Sequence, residues 1–307
     1  MTEREEAILA LVPATPDYAP LRDLVLNAVP RALTRSAYAR ALDNFFLFRE
    51  AQGPPYPAFS RALVNAHRAQ MEEQGYAPAT INLRLSAIRK LAVEAAANGL
   101  MSFEAATAIR EVKGPKQQGI RMGNWLTKHQ AQALLDAPDP LTLKGKRDRA
   151  ALGLLVGCGL RRFECVAITV EHIQQREGRW VILDLRGKGG RLRTVPVPAG
   201  VKERIDIWCR AAGIETGHIL RSMNRHGFVI RETLKPGAIL DLVGEYAKVK
   251  PHDLRRTCAK LCRKAGGELE QIQMLLGHSS IATTERYLGS EQDLEHACND
   301  RLGLKFL

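Results

Sequence analysis

The sequence predicts a mainly α-helical protein of two domains, with a small β-hairpin or sheet in the second. Three observations predict it. Before residue 112 the chain carries helical apolar periodicity and no convincing strand. Next comes Lys113-Gly114-Pro115-Lys116-Gln117-Gln118-Gly119, polar, basic and rich in breakers, the composition of a linker. Further on, the apolar runs Trp180–Leu185 and Leu192–Val197 flank Arg186-Gly187-Lys188-Gly189-Gly190-Arg191, a hairpin with a glycine-rich turn. The 307 residues suit two domains, each able to bury its own core. The boundaries follow: a helical domain over 1–112, a linker over 113–124, and a second domain over 125–307 with a tail from about 292.

In the first domain, Ser36–Ala51 is rich in aromatic and apolar residues and stops at Gly53-Pro54-Pro55. Phe59–Gln74 is a second helix, stopped by Gly75. Pro78 opens a third over Ala79–Asn98, whose Ile81, Leu85, Ile88 and Ala92 share one face. A short fourth covers Phe103–Ile109. In the second domain, Thr127 with Gln130 three residues on reads as a capping box. Arg147–Gly157 is a buried helix, and helices follow at Lys202–Ala212, Arg231–Lys248, Leu254–Ala265, Glu268–Leu276 and Ile281–Leu288. The tail ends in the apolar Leu302-Gly303-Leu304-Lys305-Phe306-Leu307.

No apolar run approaches the roughly 20 residues of a spanning helix, and the acidic start Met1-Thr2-Glu3-Arg4-Glu5-Glu6 does not read as a signal peptide. A cytoplasmic location is expected. The net charge is +12. Residues 1–117 hold 14 basic and 12 acidic side chains, an excess of +2; residues 118–307 hold 31 and 21, an excess of +10. A polyanion is the first candidate partner, engaged mostly by the second domain. The other reading is a merely basic soluble protein. The six cysteines form no C-x-x-C pair, so a zinc ribbon is not expected. Cys258 and Cys262 share a helical stripe with Leu254 and Leu261, which favours core packing over metal binding.

Four motifs in the second domain bear chemistry. In Gly157-Cys158-Gly159-Leu160-Arg161-Arg162-Phe163-Glu164, Arg161 could fork onto phosphate oxygens with Glu164 fixing its orientation; alone, the motif is better read as a solvated Arg–Glu pair at a helix start. Lys188 in Gly187-Lys188-Gly189-Gly190 sits on a bare turn that can reach a ligand, or is an ordinary surface lysine. In Pro251-His252-Asp253-Leu254-Arg255-Arg256, His252 and Arg255 share a face at a helix N-terminus, where an anion is favoured; a helix cap is the alternative. Arg256 points roughly 100° away from Arg255 and is either structural or a DNA-backbone contact. Last, Leu275-Leu276-Gly277-His278-Ser279-Ser280 puts His278 in a turn and Tyr287 two turns along the next helix, where a lone tyrosine ordinarily packs in a core.

The order G-L-R-x-x-E, G-K-G, H-x-L-R, L-G-H and then Tyr nine residues later resembles the tyrosine recombinase (phage integrase) family. All six catalytic positions are matched, by Arg161, Lys188, His252, Arg255, His278 and Tyr287. The resemblance covers roughly residues 120–290. It extends more weakly to the first domain, whose helices are similar to the family's SAM-like core-binding domain, with no separate arm-binding domain before it. It implies a tyrosine-recombinase catalytic domain and a site-specific recombinase using neither metal, ATP nor another cofactor. By this resemblance Arg161 and Arg255 clamp a DNA phosphate and Tyr287 attacks it. His252 is the general base, Lys188 the general acid, His278 a hydrogen-bond donor, and Glu164 a supporting residue. The product is a 3′-phosphotyrosyl bond with a free 5′-hydroxyl. The two domains are expected to clamp duplex DNA, with Arg84, Arg89 and Lys90 near the major groove or on a solvated basic face. The tail is expected to dock on a neighbouring protomer in a homo-tetramer, or on its own subunit. Two other functions remain: a type IB topoisomerase-like relaxing enzyme, using the same side chains, and a catalytically silent DNA-binding protein.

Overall fold

The computed structural model describes residues 18–54, 57–116, 124–187 and 190–289. Lys188, most of the linker and the tail lie outside the described residues. The chain divides into two compact units, residues 1–119 and 120–307.

The first unit is helical. Its described elements are α1 (Ala19–Asn27), α2 (Ala32–Glu50), α3 (Arg61–Glu73), α4 (Pro78–Ala97) and α5 (Phe103–Arg110). Helix α4 is the central one and packs against the other four. It begins at Pro78, whose missing N–H costs nothing in a first turn. The predicted stripe Ile81, Leu85, Ile88 and Ala92 is buried, and Ala87, Leu91, Ala95 and Ala96 widen it. Against it lie Leu42, Phe45 and Phe46 of α2 and Leu63, Val64 and Met71 of α3. Ser60 and Ser102 cap α3 and α5, accepting from the N–H groups of Leu63 and Ala105. Helix α1 was not anticipated, and α2 starts at Ala32, four residues before the predicted start.

The second unit surrounds α7 (Leu143–Gly157) with α6 (Lys128–Asp136), α8 (Arg162–Ala167), α9 (Ala199–Ala212), α10 (Pro236–Tyr246) and α11 (Pro251–Lys264). Helix α7 is apolar all round over Ala150–Val156, as a helix packed on every side must be. Thr127 and Gln130 form the predicted capping box of α6, and the Leu126 N–H donates to Thr257 Oγ1 at 2.9 Å, pinning this start onto α11. The sheet holds β1 (Ile173–Arg176), β2 (Arg179–Arg186) and β3 (Leu192–Pro196), antiparallel in that order. The hairpin is thus β2–β3, extended by a third strand. A second, two-stranded sheet pairs β4 (Ser222–Met223) with β5 (Val229–Arg231). The helix expected over Arg231–Lys248 begins only at Pro236. Lys235, before the proline, is extended at ψ 143°, because proline disfavours helical backbone in its predecessor. Two short helices follow among the described residues, α12 (Leu269–Leu276) and α13 (Ile281–Leu288). Among the described residues no helix is long and apolar enough to cross a membrane.

Candidate active site

The site grows from three chain turns and one helix that converge in the second unit. The first ends α7. Gly159 has φ +59°, and a Cβ there would meet Cys258 Sγ at 3.2 Å and Leu276 Cδ2 at 3.3 Å. Only glycine suits both the backbone and the gap. This turn delivers Arg161 to the start of α8. Glu164, three residues on and 3% exposed, accepts from the Arg161 backbone N–H and from Arg161 Nη1, both at 2.8 Å.

Glu164 is held from a second side by Arg193 of β3. Its Nη1 and Nη2 donate to the two carboxylate oxygens at 2.9 and 2.8 Å, a fork-on-fork pair. Arg255 Nη1 lies 3.9 Å from Glu164 Oε2. Burial pushes the Glu164 carboxyl up, but Arg193 and then Arg161 outweigh it and hold it well down, at about 2.

The second turn starts α11. Pro251 occupies its first turn, and Asp253 accepts from the Lys250 N–H at 2.9 Å. Arg255 is 1% exposed. It donates to the Gly159 carbonyl at 2.6 Å and to the Leu276 carbonyl, joining the ends of α7 and α12. Its buried Nε has no hydrogen-bond partner. Burial first, then Arg161, lowers its pKa to about 10, so it remains a cation at neutral pH. His252 keeps part of its ring open to solvent. Desolvation, followed by Arg255 and Arg256, holds it below the usual histidine range.

The third turn joins α12 to α13. Gly277 closes α12 at φ +60°, and His278 follows. His278 Nδ1 lies 3.0 Å from the Oγ1 of Thr284, which is fully buried. Burial, then Arg255, Arg161 and Arg193, lowers His278 to about 4, so its imidazole is neutral at pH 7. The fourth component is Tyr287 on α13. Its ring meets the rings of His252 and His278 edge-on, with centroids 5.3 and 5.2 Å away. Arg256 Cζ sits 5.0 Å from its centroid. The hydroxyl donates to the His252 carbonyl oxygen at 3.2 Å. Burial raises the phenol to about 12, against the opposing pull of Arg255, Arg256 and Arg161.

The structure therefore brings together Arg161, Glu164, His252, Arg255, His278 and Tyr287, with Arg256 stacked beside the tyrosine. In the first unit, Arg84 donates to Asn44 Oδ1 at 2.7 Å and lies 4.3 Å over Tyr76. Arg89 donates to the Val112 carbonyl, and Lys90 pairs with Glu94 at 2.6 Å. Cys258 is buried and Cys262 half-buried, both as free thiols, as core packing requires.

The phage integrase family model matches residues 124–293, and the phage integrase N-terminal SAM-like domain matches residues 21–99. The chain belongs to the phage integrase family of tyrosine recombinases. It is 31% identical over 237 residues to the tyrosine recombinase XerD of Vibrio cholerae serotype O1, covering 74% of this chain and 76% of that protein. It is 30% identical over 281 residues to XerC of Xanthomonas campestris pv. campestris, covering 90% and 84%. Solved structures share the fold. A λ integrase dimer bound to a COC′ core site aligns with TM-score 0.69 and 19% identity, over 95% of this chain and 83% of that one. XerH bound to a palindromic difH substrate aligns with TM-score 0.64 and 18% identity, over 85% and 77%.

As a tyrosine recombinase this chain is an enzyme. Sequence reading passed over two residues of its site. Arg193 reads as one polar position in a short strand, and Thr284 as an ordinary helix residue. A basic side chain on the inward face of a half-buried strand was the signal available for Arg193. Thr284 carried no comparable signal.

Proposed function

We propose that this enzyme cleaves and rejoins duplex DNA at a specific site through a 3′-phosphotyrosyl bond to Tyr287, without metal or ATP. The observation that carries the reading is the position of Tyr287, edge-on to two neutral imidazoles and within the field of Arg161, Arg255 and Arg256. A DNA phosphodiester repels nucleophiles by its charge. Arg161, still partly open to solvent, and Arg255, with its spare buried N–H, would hold the non-bridging oxygens and offset the charge of the pentacoordinate transition state. A phenol raised to about 12 is protonated at pH 7 and must lose its proton as it attacks. His252, uncharged at that pH, is the acceptor.

A Thr284 hydroxyl that donates to His278 Nδ1 leaves the other ring nitrogen protonated and free to donate to a phosphate oxygen. Lys188, which lies between β2 and β3 in the sequence, would protonate the departing 5′-oxygen. The tyrosyl bond retains the phosphodiester energy, so a 5′-hydroxyl from another duplex reverses the step. Exchange between two duplexes calls for four protomers, with the tail docking on a neighbour. Arg84, Arg89, Lys90 and Arg256 are the proposed additional DNA contacts, and the +10 excess of residues 118–307 favours Arg256 among them.

A nicked suicide substrate carrying the cognate site tests this reading. The wild-type chain should accumulate a covalent complex in EDTA, and Tyr287→Phe should form none. A complex that survives Tyr287→Phe, or that requires a divalent metal, contradicts the mechanism.

A further inference from the structure

We infer that Arg193 is a positioning residue for cleavage, which sets Arg161 through Glu164 and sets His278 through the turn that carries it. The inference rests on the function proposed above and adds a residue to it. The hydrogen bonds of Arg193 go to Glu164 and Leu275 rather than to Tyr287. Its side chain is 9% exposed, and each of its three donor nitrogens has a partner in the machinery around the site. Two go to Glu164, at 2.9 and 2.8 Å, and Glu164 in turn holds Arg161 by side chain and backbone. The third, Nε, donates at 3.1 Å to the Leu275 carbonyl near the end of α12. The next carbonyl, Leu276, accepts from Arg255. The last two carbonyls of α12 are thus tied by two different arginines, immediately before Gly277 and His278.

The packing agrees. A Cβ on Gly277 would lie 2.9 Å from Arg193 Cδ and 3.2 Å from its Nε. The turn that presents His278 is therefore moulded onto the Arg193 side chain. Arg193 also sits on β3, with its backbone paired to Leu185 of β2. One planar guanidinium joins this strand, the carboxylate that holds Arg161 and the histidine turn. A lysine in its place would keep the charge but lose the fork, because an ammonium cannot meet both carboxylate oxygens and a carbonyl in fixed geometry.

The test uses the full-length chain, a nicked cognate substrate, and the variants Arg193→Gln and Arg193→Lys. Thermal melting, DNA affinity and the single-turnover cleavage rate are measured separately. Arg193→Gln should bind DNA within about threefold of wild type but cleave roughly ten- to a hundredfold more slowly, since small displacements of positioned groups cost that much. Arg193→Lys should melt like wild type and cleave at an intermediate rate. The inference is overturned if wild type cleaves and both variants cleave within about twofold of it. It is also overturned if neither variant folds, or if affinity and rate fall together, since Arg193 then serves the fold alone. If wild type itself forms no covalent complex, the proposed function falls and this inference with it.

Discussion

The Tyr287 hydroxyl donates to the backbone carbonyl of His252 at 3.2 Å, while the His252 ring stands edge-on beside it at 5.3 Å between centroids. The phenol therefore rests on a peptide oxygen that cannot take its proton, next to an imidazole ring. On the proposed mechanism, cleavage requires the hydroxyl to change acceptors from that carbonyl to His252.

The pH profile of cleavage follows from that pair. A general base acts in its neutral form, and His252 is lowered from the usual histidine range by desolvation and then by Arg255 and Arg256. The rate should be flat near pH 7 and fall as the pH drops through this lowered value, with the midpoint below that of an exposed histidine. His252→Gln should lower the plateau by roughly a hundred- to ten-thousandfold and abolish this acid limb. Single-turnover rates between pH 5 and 8 check it; an unchanged limb in the variant removes His252 as base.

Glu164 predicts a stability effect. Its carboxyl sits at about 2 in the folded chain against an ordinary 4.5. A depressed acid contributes stability that is fully present above the ordinary value and lost as the pH falls from about 4.5 toward about 2. The shift corresponds to roughly 3 kcal/mol. Glu164→Gln should lose a similar amount at pH 7, because it leaves Arg193 and Arg255 buried without their counter-charge. Urea melts at pH 7 and pH 3 measure both, and the variant should show the smaller difference between them.

Gly277 and Gly213 separate backbone strain from contact. Their φ values are +60° and +63°, but a Cβ meets Arg193 only at Gly277 and nothing within 4 Å at Gly213. Alanine at either costs on the order of 1 kcal/mol of left-handed strain. Gly277→Ala should lose roughly 1 kcal/mol more from overpacking, and it alone should slow cleavage. Paired urea melts and cleavage assays decide it; equal losses would mean that the turn yields without consequence.

In the first unit, Lys90 and Arg89 should behave differently. The half-buried Lys90–Glu94 pair lies within one helix and contributes about 1 kcal/mol or less to stability, whereas Arg89 ties α4 to the Val112 carbonyl. Lys90→Ala should leave melting unchanged and reduce the salt dependence of DNA affinity by about one unit of slope. Arg89→Ala should lower melting as well. Anisotropy titrations across salt concentrations test this, and an unchanged slope for Lys90→Ala assigns it to a solvated face.

Local signals made much of this legible. Thr127 and Gln130 marked a helix start, the stripe Ile81–Ala92 marked the central helix of the first unit, and Pro251 marked the start of α11. What escaped depended on tertiary pairing. Strand β1 reads Ile173-Gln174-Gln175-Arg176 and has no alternation strong enough to announce itself; it forms because β2 supplies its hydrogen bonds. The helix expected over Arg231–Lys248 is too long at its start because no breaker stands between Arg231 and Pro236, whereas Arg231 pairs with Ser222 of β4 instead. Arg193 escaped because a strand residue gains its meaning from a carboxylate 29 positions away. The candidate site was readable as an ordered series of motifs. The charge network that orients it was not, since its partners come from separate elements.

The central claim is tested most directly by mapping the attachment site. The covalent complex trapped on a nicked cognate duplex would be digested with protease and nuclease, and the nucleotide-bearing peptide sequenced by mass spectrometry. The account predicts a single modified residue, Tyr287, joined to a 3′-phosphate. A nucleotide found on any other side chain, or a 5′-phosphate linkage, would contradict it.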